Sequence, residues 1–147
     1  MKAVLQRVSR AEVRVAGASV GRIERGMLVL LCAMRGDDEA CAARFAARVA
    51  RWRCFPDEDG RMTRALLDVG GEALVVSQVT LAADGSKGAR PSFDQAAPPE
   101  LAAILVQRFV QALAELGIRC RTGVFGAEME VELLNAGPVT FTLEERP

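Results

Sequence analysis

The run Met27-Leu28-Val29-Leu30-Leu31-Cys32, preceded by Gly26, has an apolar side chain at every position. A strand with no polar side to offer solvent needs cover on both faces, so it belongs at the centre of a sheet. Ala73 to Leu81, following Gly70-Gly71, reads as a second buried strand. Val4, Val8, Val13 and Val15 sit among polar residues in a largely alternating pattern, and Ala16-Gly17-Ala18 offers a turn before Ser19 to Ile23. This segment reads as an antiparallel hairpin. Asp37 or Asp38 is placed to cap a helix running to about Trp52, with Cys41, Phe45, Val49 and Trp52 on one face. Pro98-Pro99-Glu100 opens a second helix, with Leu101, Leu105, Phe109, Leu113 and Leu116 as its stripe and Gly117 as its stop. Residues 56–60 form a turn by composition, and 82–97 read as an exposed loop. Ile118 to Phe125, Met129 to Leu134 and Val139 to Leu143 read as short closing strands. The expected architecture is α+β: one domain over 1–147, mainly antiparallel sheets, and two helices packed on the sheet.

Composition narrows function more than fold. With 147 residues and a hydrophobic share of 50%, the chain can fill one core. It contains no histidine and no tyrosine. Mechanisms built on a protein imidazole, whether Ser-His-Asp, Cys-His or a His-ligated metal, are excluded. Lys plus Arg and Asp plus Glu both number 19, so any contact with nucleic acid is expected to be local. Cys32, Cys41, Cys54 and Cys120 form no C-x-x-C pair and read as buried thiols in a reducing compartment. The longest apolar run, Met27 to Met34, is too short to cross a bilayer, and the first residues lack signal-peptide character. A soluble, cytosolic protein is expected, with no cofactor and no metal.

Two polar segments stand out. Ser77-Gln78-Val79-Thr80-Leu81 ends a buried strand at the edge of the long loop, where side chains and unpaired backbone N–H groups can meet a ligand. Taken locally, Ser and Thr in a strand are more often satisfied by hydrogen bonds to neighbouring backbone. Asn135-Ala136-Gly137-Pro138-Val139-Thr140 breaks two strands with a Gly-Pro step, which a simple turn also explains.

Together these segments resemble the S-Q-F-T-L and N-x-G-P-V-T signatures of the D-aminoacyl-tRNA deacylases. The resemblance extends through Ala3 to Ser9, Leu67 to Gly71, Arg90 to Phe93 and Thr122 to Ala127. It implies a homodimer in which a cis Gly137-Pro138 bond enters the partner's active site. There the carbonyls would leave no room for an L side chain, while D-aminoacyl groups and glycine pass. Arg7 would brace that loop. The resemblance also implies that the terminal adenosine of the tRNA contributes its own 2′-hydroxyl. The backbone N–H groups of Val79 and Thr80 would hold the developing oxyanion, with Ser77 and Gln78 positioning substrate. The Thr80 hydroxyl as direct nucleophile is the alternative. Phe125 and Met129 would line the adenosine pocket, and Lys87 and Arg90, with Arg119 and Arg121 behind them, are the candidates for RNA contact.

The sequence departs from the family pattern at Val79, where Phe is usual, at Ala82, where Tyr is common, and at Ala89, where a polar or basic residue is usual. Every non-proline residue supplies a backbone N–H, so Val79 is compatible with backbone catalysis. The implied reaction is hydrolysis of D-aminoacyl-tRNA, and of glycyl-tRNA(Ala), to free amino acid and tRNA. The rival readings are an L-specific deacylase with a trans Gly-Pro-type loop, a silent tRNA-end-binding module and a structural dimerisation domain.

Overall fold

The computed structural model describes residues 1–86 and 88–147. β1 (Lys2–Val15) is the axis of the molecule. Its first half pairs antiparallel with β3 (Gly26–Cys32), and its second half pairs with β2 (Ala18–Ile23), as the alternating valines lead one to expect. Along its other edge runs β8 (Glu130–Glu144), also antiparallel. β3 then pairs in parallel with β6 (Glu72–Ser77), and β6 in parallel with β7 (Cys120–Thr122). The sheet is therefore mixed. The parallel pairs follow from the two long crossovers, each of which carries a helix back over the same side. β4 (Phe55–Pro56) and β5 (Met62–Arg64) form a small separate ladder across the turn expected at 56–60.

α1 (Glu39–Ala50) begins where Asp38 Oδ1 accepts the Cys41 amide at 2.7 Å, so Asp38 is the cap. Its neighbour Asp37 turns inward instead, pairing with the Met1 amine at 2.8 Å and accepting the Met34 amide at 2.6 Å. α3 (Pro99–Glu115) starts with proline at its first helical position, and α2 (Leu66–Val69) is a single turn that the sequence pattern did not announce. Cys41, Phe45 and Val49 of α1 and Leu105, Phe109 and Leu113 of α3 are buried in one core with Leu5, Val29 and Val75 of the sheet. Phe45 and Phe109 meet edge-on with ring centroids 5.9 Å apart. A smaller cluster on the opposite face joins Val8, Val13, Leu28, Leu74 and Val76, partly covered by Val131 and Leu133. The central run is thus buried on both sides, as its composition demands. Gly26 sits where a Cβ would lie 1.9 Å from the Glu72 carbonyl oxygen, so only glycine allows the β3–β6 ladder to begin there.

Four expectations are corrected. The strand expected to Leu81 stops at Ser77, and that expected over 118–125 is only three residues long. The two final strands are one element, β8, carried along β1 with two register shifts near its middle, either side of the Val8–Asn135 pair. Leu101 is exposed in the first turn of α3, where its neighbours Pro99 and Ala102 are the residues that line a cavity.

Candidate active site

Ser77 is the last residue of β6 in register with β3, opposite Leu31. Gln78 adds one more bond, its amide donating to Leu31 O at 2.8 Å. β3 then ends at Cys32, so the chain has no strand left to follow, and residues Val79–Ala82 close into a 3-10 turn. The turn is held by Leu81 N to Gln78 O at 3.2 Å and Ala83 N to Thr80 O at 3.1 Å. The first amides of such a turn have no acceptor within it. Among the described residues, the N–H groups of Val79 and Thr80 make no backbone hydrogen bond to any other segment.

Val79 lines a cavity of about 480 Å³, and Thr80 follows it in the chain just outside the lining. Its floor is Leu31, Cys32 and Val76. Ser77, Gln78 and Val79 form one side, Phe125 and Met129 another, and Pro99, Ala102 and Val106 bring in α3. Cys32 is the one ionisable side chain among the lining residues, and burial pushes its thiol above the usual range. The cavity therefore offers no side chain suited to proton transfer near neutral pH; its polar resources are amides and hydroxyls. The Thr80 hydroxyl lies outside the lining and is tied to Gln78 Nε2, which donates to Thr80 Oγ1. A larger hollow of about 640 Å³ near both chain ends is lined by charged residues such as Lys2, Arg35 and Glu144, and contains no residue of either motif.

The second motif lies elsewhere on the chain. On the β1–β8 ladder Gln6 faces Thr140 and Val8 faces Asn135, so residues 136–139 stand opposite Arg7 alone and are pushed out as a tip. The Gly137-Pro138 bond is cis, and both residues are exposed. Arg7 Nε donates to Ala136 O at 2.8 Å, and its Nη1 donates to Cys54 O at 2.7 Å, fastening the tip to the body. Asn135 closes the tip from within: its Oδ1 accepts the Val139 amide at 2.7 Å and its Nδ2 donates to Thr140 Oγ1 at 3.0 Å. Gln6 Nε2 reaches the same hydroxyl at 3.3 Å. The structural parts played by Asn135 and Gln6 were not assigned from sequence, because side chains four or more residues from their partners have no local signal.

Residues 4–144 match the family described as D-Tyr-tRNA(Tyr) deacylase. The chain belongs to this family. A relative named D-aminoacyl-tRNA deacylase from Paracoccus denitrificans (strain Pd 1222) is 55% identical over 144 residues, covering 98% of this chain and 97% of its own. Another of that name, from Dinoroseobacter shibae, is 54% identical with coverage of 98% and 99%. Among solved structures, the c-Myc DNA Unwinding Element Binding Protein superposes with a TM-score of 0.93 at 37% identity over the full length of both chains. A probable eukaryotic D-amino acid tRNA deacylase shares the fold, with a TM-score of 0.84 at 17% identity over 97% of each chain.

In this member of the deacylase family, one cavity brings together Ser77, Gln78, Val79, Phe125 and Met129. Gly137 and Arg7 line a different hollow, of about 300 Å³, so within one chain the two motifs do not share a pocket. Of the candidate cations, Arg90 is exposed on the loop, Arg121 is exposed on β7, and Arg119 pairs with Glu72 at 3.0 Å. Lys87 lies outside the described residues. Among the described residues, no helix is long and apolar enough to cross a membrane.

Proposed function

We propose that this chain is a D-aminoacyl-tRNA deacylase that works as a cytoplasmic homodimer without a side-chain base. The observation that carries the reading is that, among the described residues, the Val79 and Thr80 amides have no hydrogen-bond partner in another segment and Val79 lines an apolar cavity, in a chain without histidine. The terminal adenosine of the tRNA enters the cavity past Phe125 and Met129, and its ester carbonyl oxygen turns toward the two N–H groups. Water attacks the ester carbon, and the oxygen that gains negative charge is held by those donors. The neighbouring 2′-hydroxyl of the ribose takes a proton from the attacking water and gives its own to the departing 3′-oxygen as the ester C–O bond breaks, leaving free amino acid and tRNA. Ser77 and Gln78 position the substrate, and Arg90 approaches its phosphates.

Chirality is set by the partner. Gly137 and Pro138 from the second subunit reach the mouth of the cavity with their carbonyls inward and occupy the space an L side chain would need. A D-aminoacyl group and glycine both escape this block, so glycyl-tRNA(Ala) is a substrate as well. The exposed tip supports the reading, because within its own chain it lies away from the cavity it would guard.

Matched D- and L-tyrosyl-tRNA, incubated with purified protein and a chelator, test the function. Rapid loss of the D ester with an intact L ester is expected. Loss of neither would favour a silent binding module, and loss of the L ester alone would overturn the proposed chirality.

A further inference from the structure

The substrate cavity does not end at Phe125. A second hollow of about 310 Å³ adjoins it and shares Ser77, Val106 and Phe125 with it. The hollow exists because β7 is so short. Gly123 N still donates to Val75 O at 3.1 Å, but beyond that bond, among the described residues, no strand covers the space between β6 and α3. Val75 on β6 and Ala103, Val106 and Val110 on one face of α3 give it an apolar floor. Gln107 and Thr122 stand on its rim, both exposed, and Phe125 is 42% exposed at the boundary between the lobes.

No lining residue is charged, so this is not a phosphate site. An apolar floor, a free aromatic edge and one carboxamide suit a planar heterocycle, which stacks on the ring and offers its hydrogen-bonding edge to Gln107. Successive nucleotides are covalently joined. A terminal nucleoside held in the first lobe therefore brings the base before it to the second. We propose that the second lobe binds the base of the nucleotide preceding the esterified adenosine. This rests on the deacylase reading and adds a requirement to it: the minimal substrate recognised at full strength is two nucleotides long.

The test compares intact D-tyrosyl-tRNA, the same tRNA with an abasic penultimate nucleotide, and D-tyrosyl-adenosine, using wild-type protein and Gln107→Ala. Gln107 is exposed, so the variant is expected to fold, and circular dichroism checks this. For the wild type, removing the base should raise KM about tenfold at unchanged kcat, the effect of losing one base–aromatic stack. Gln107→Ala should raise KM for intact tRNA by roughly threefold, the cost of one hydrogen bond. It should leave the abasic tRNA and D-tyrosyl-adenosine unaffected. Equal KM for intact and abasic tRNA would overturn the inference. So would a Gln107→Ala effect that follows the size of the D-amino acid, since the side chain would then be the occupant. If the wild type hydrolyses none of the three, the deacylase reading itself falls.

Discussion

Gly137 shows how much a single position can carry. Its φ of +152° is one that L side chains rarely adopt, and a Cβ there would lie 2.6 Å from Val139 Cγ2 and 3.2 Å from Arg7 Nη2. Gly137→Ala must shift the tip against its brace. Because misplacement of about 1 Å can cost 10²-fold in a positioned reaction, discrimination between D- and L-tyrosyl-tRNA is expected to fall by at least roughly tenfold. Rates on the two esters measure it, and unchanged discrimination would count against the role given to the tip. Thr80 separates the two chemical alternatives. With its hydroxyl held by Gln78 and its amide free, Thr80→Val should keep kcat within about threefold of wild type, whereas loss of a nucleophile would cost a thousandfold or more. Val79 is 54% exposed on the cavity rim, and the contribution proposed for it is an N–H that any non-proline residue supplies.

At the scale of elements, the least replaceable contact outside the site is the buried pair between the Met1 amine and Asp37, which joins the start of β1 to the approach to α1. Removing one member leaves the other charge buried, so Asp37→Ala should lower unfolding free energy by about 3–5 kcal/mol in denaturant titrations. A loss below about 1 kcal/mol would show that water reaches the pair. Asp37 and Asp38 also illustrate what could be read beforehand. Two adjacent acids before a helical stripe announce a cap, but only packing decides that Asp38 takes that role and Asp37 turns inward. The continuous apolar runs became β3 and β6 because a strand without a polar side has one place to go. The point where β6 breaks into a 3-10 turn was not legible, since it depends on where β3 ends. The same holds for the union of the last two strands. A Gly-Pro step reads as a turn, and only pairing with the long β1 keeps both sides in one element.

For the molecule as a whole, both signature segments were visible in the sequence, and one cavity gathers Ser77, Gln78, Val79, Phe125 and Met129. The separation of the Gly137 tip from this cavity was not visible, because it arises from the three-dimensional course of β8. It motivates the proposed dimer, for which sedimentation should give twice the mass of one chain. A monomer that still discriminates D from L would contradict it. The lining also sets the pH response. With Cys32 as its one ionisable group, held protonated by burial, kcat/KM should show no inflection between about pH 5 and 8 once spontaneous hydrolysis is subtracted. A bell-shaped profile there would require a side-chain acid or base. In the proposed mechanism, backbone amides and the substrate's own hydroxyl perform the chemistry. The most direct measurement is single-turnover hydrolysis by the wild-type protein of D-tyrosyl-tRNA ending in adenosine or in 2′-deoxyadenosine. The deoxy substrate should bind normally and react slower by roughly 10²–10⁴-fold, the contribution of one positioned proton-transfer group. Equal rates on the two substrates would contradict the claim and return the search for a catalytic group to the protein.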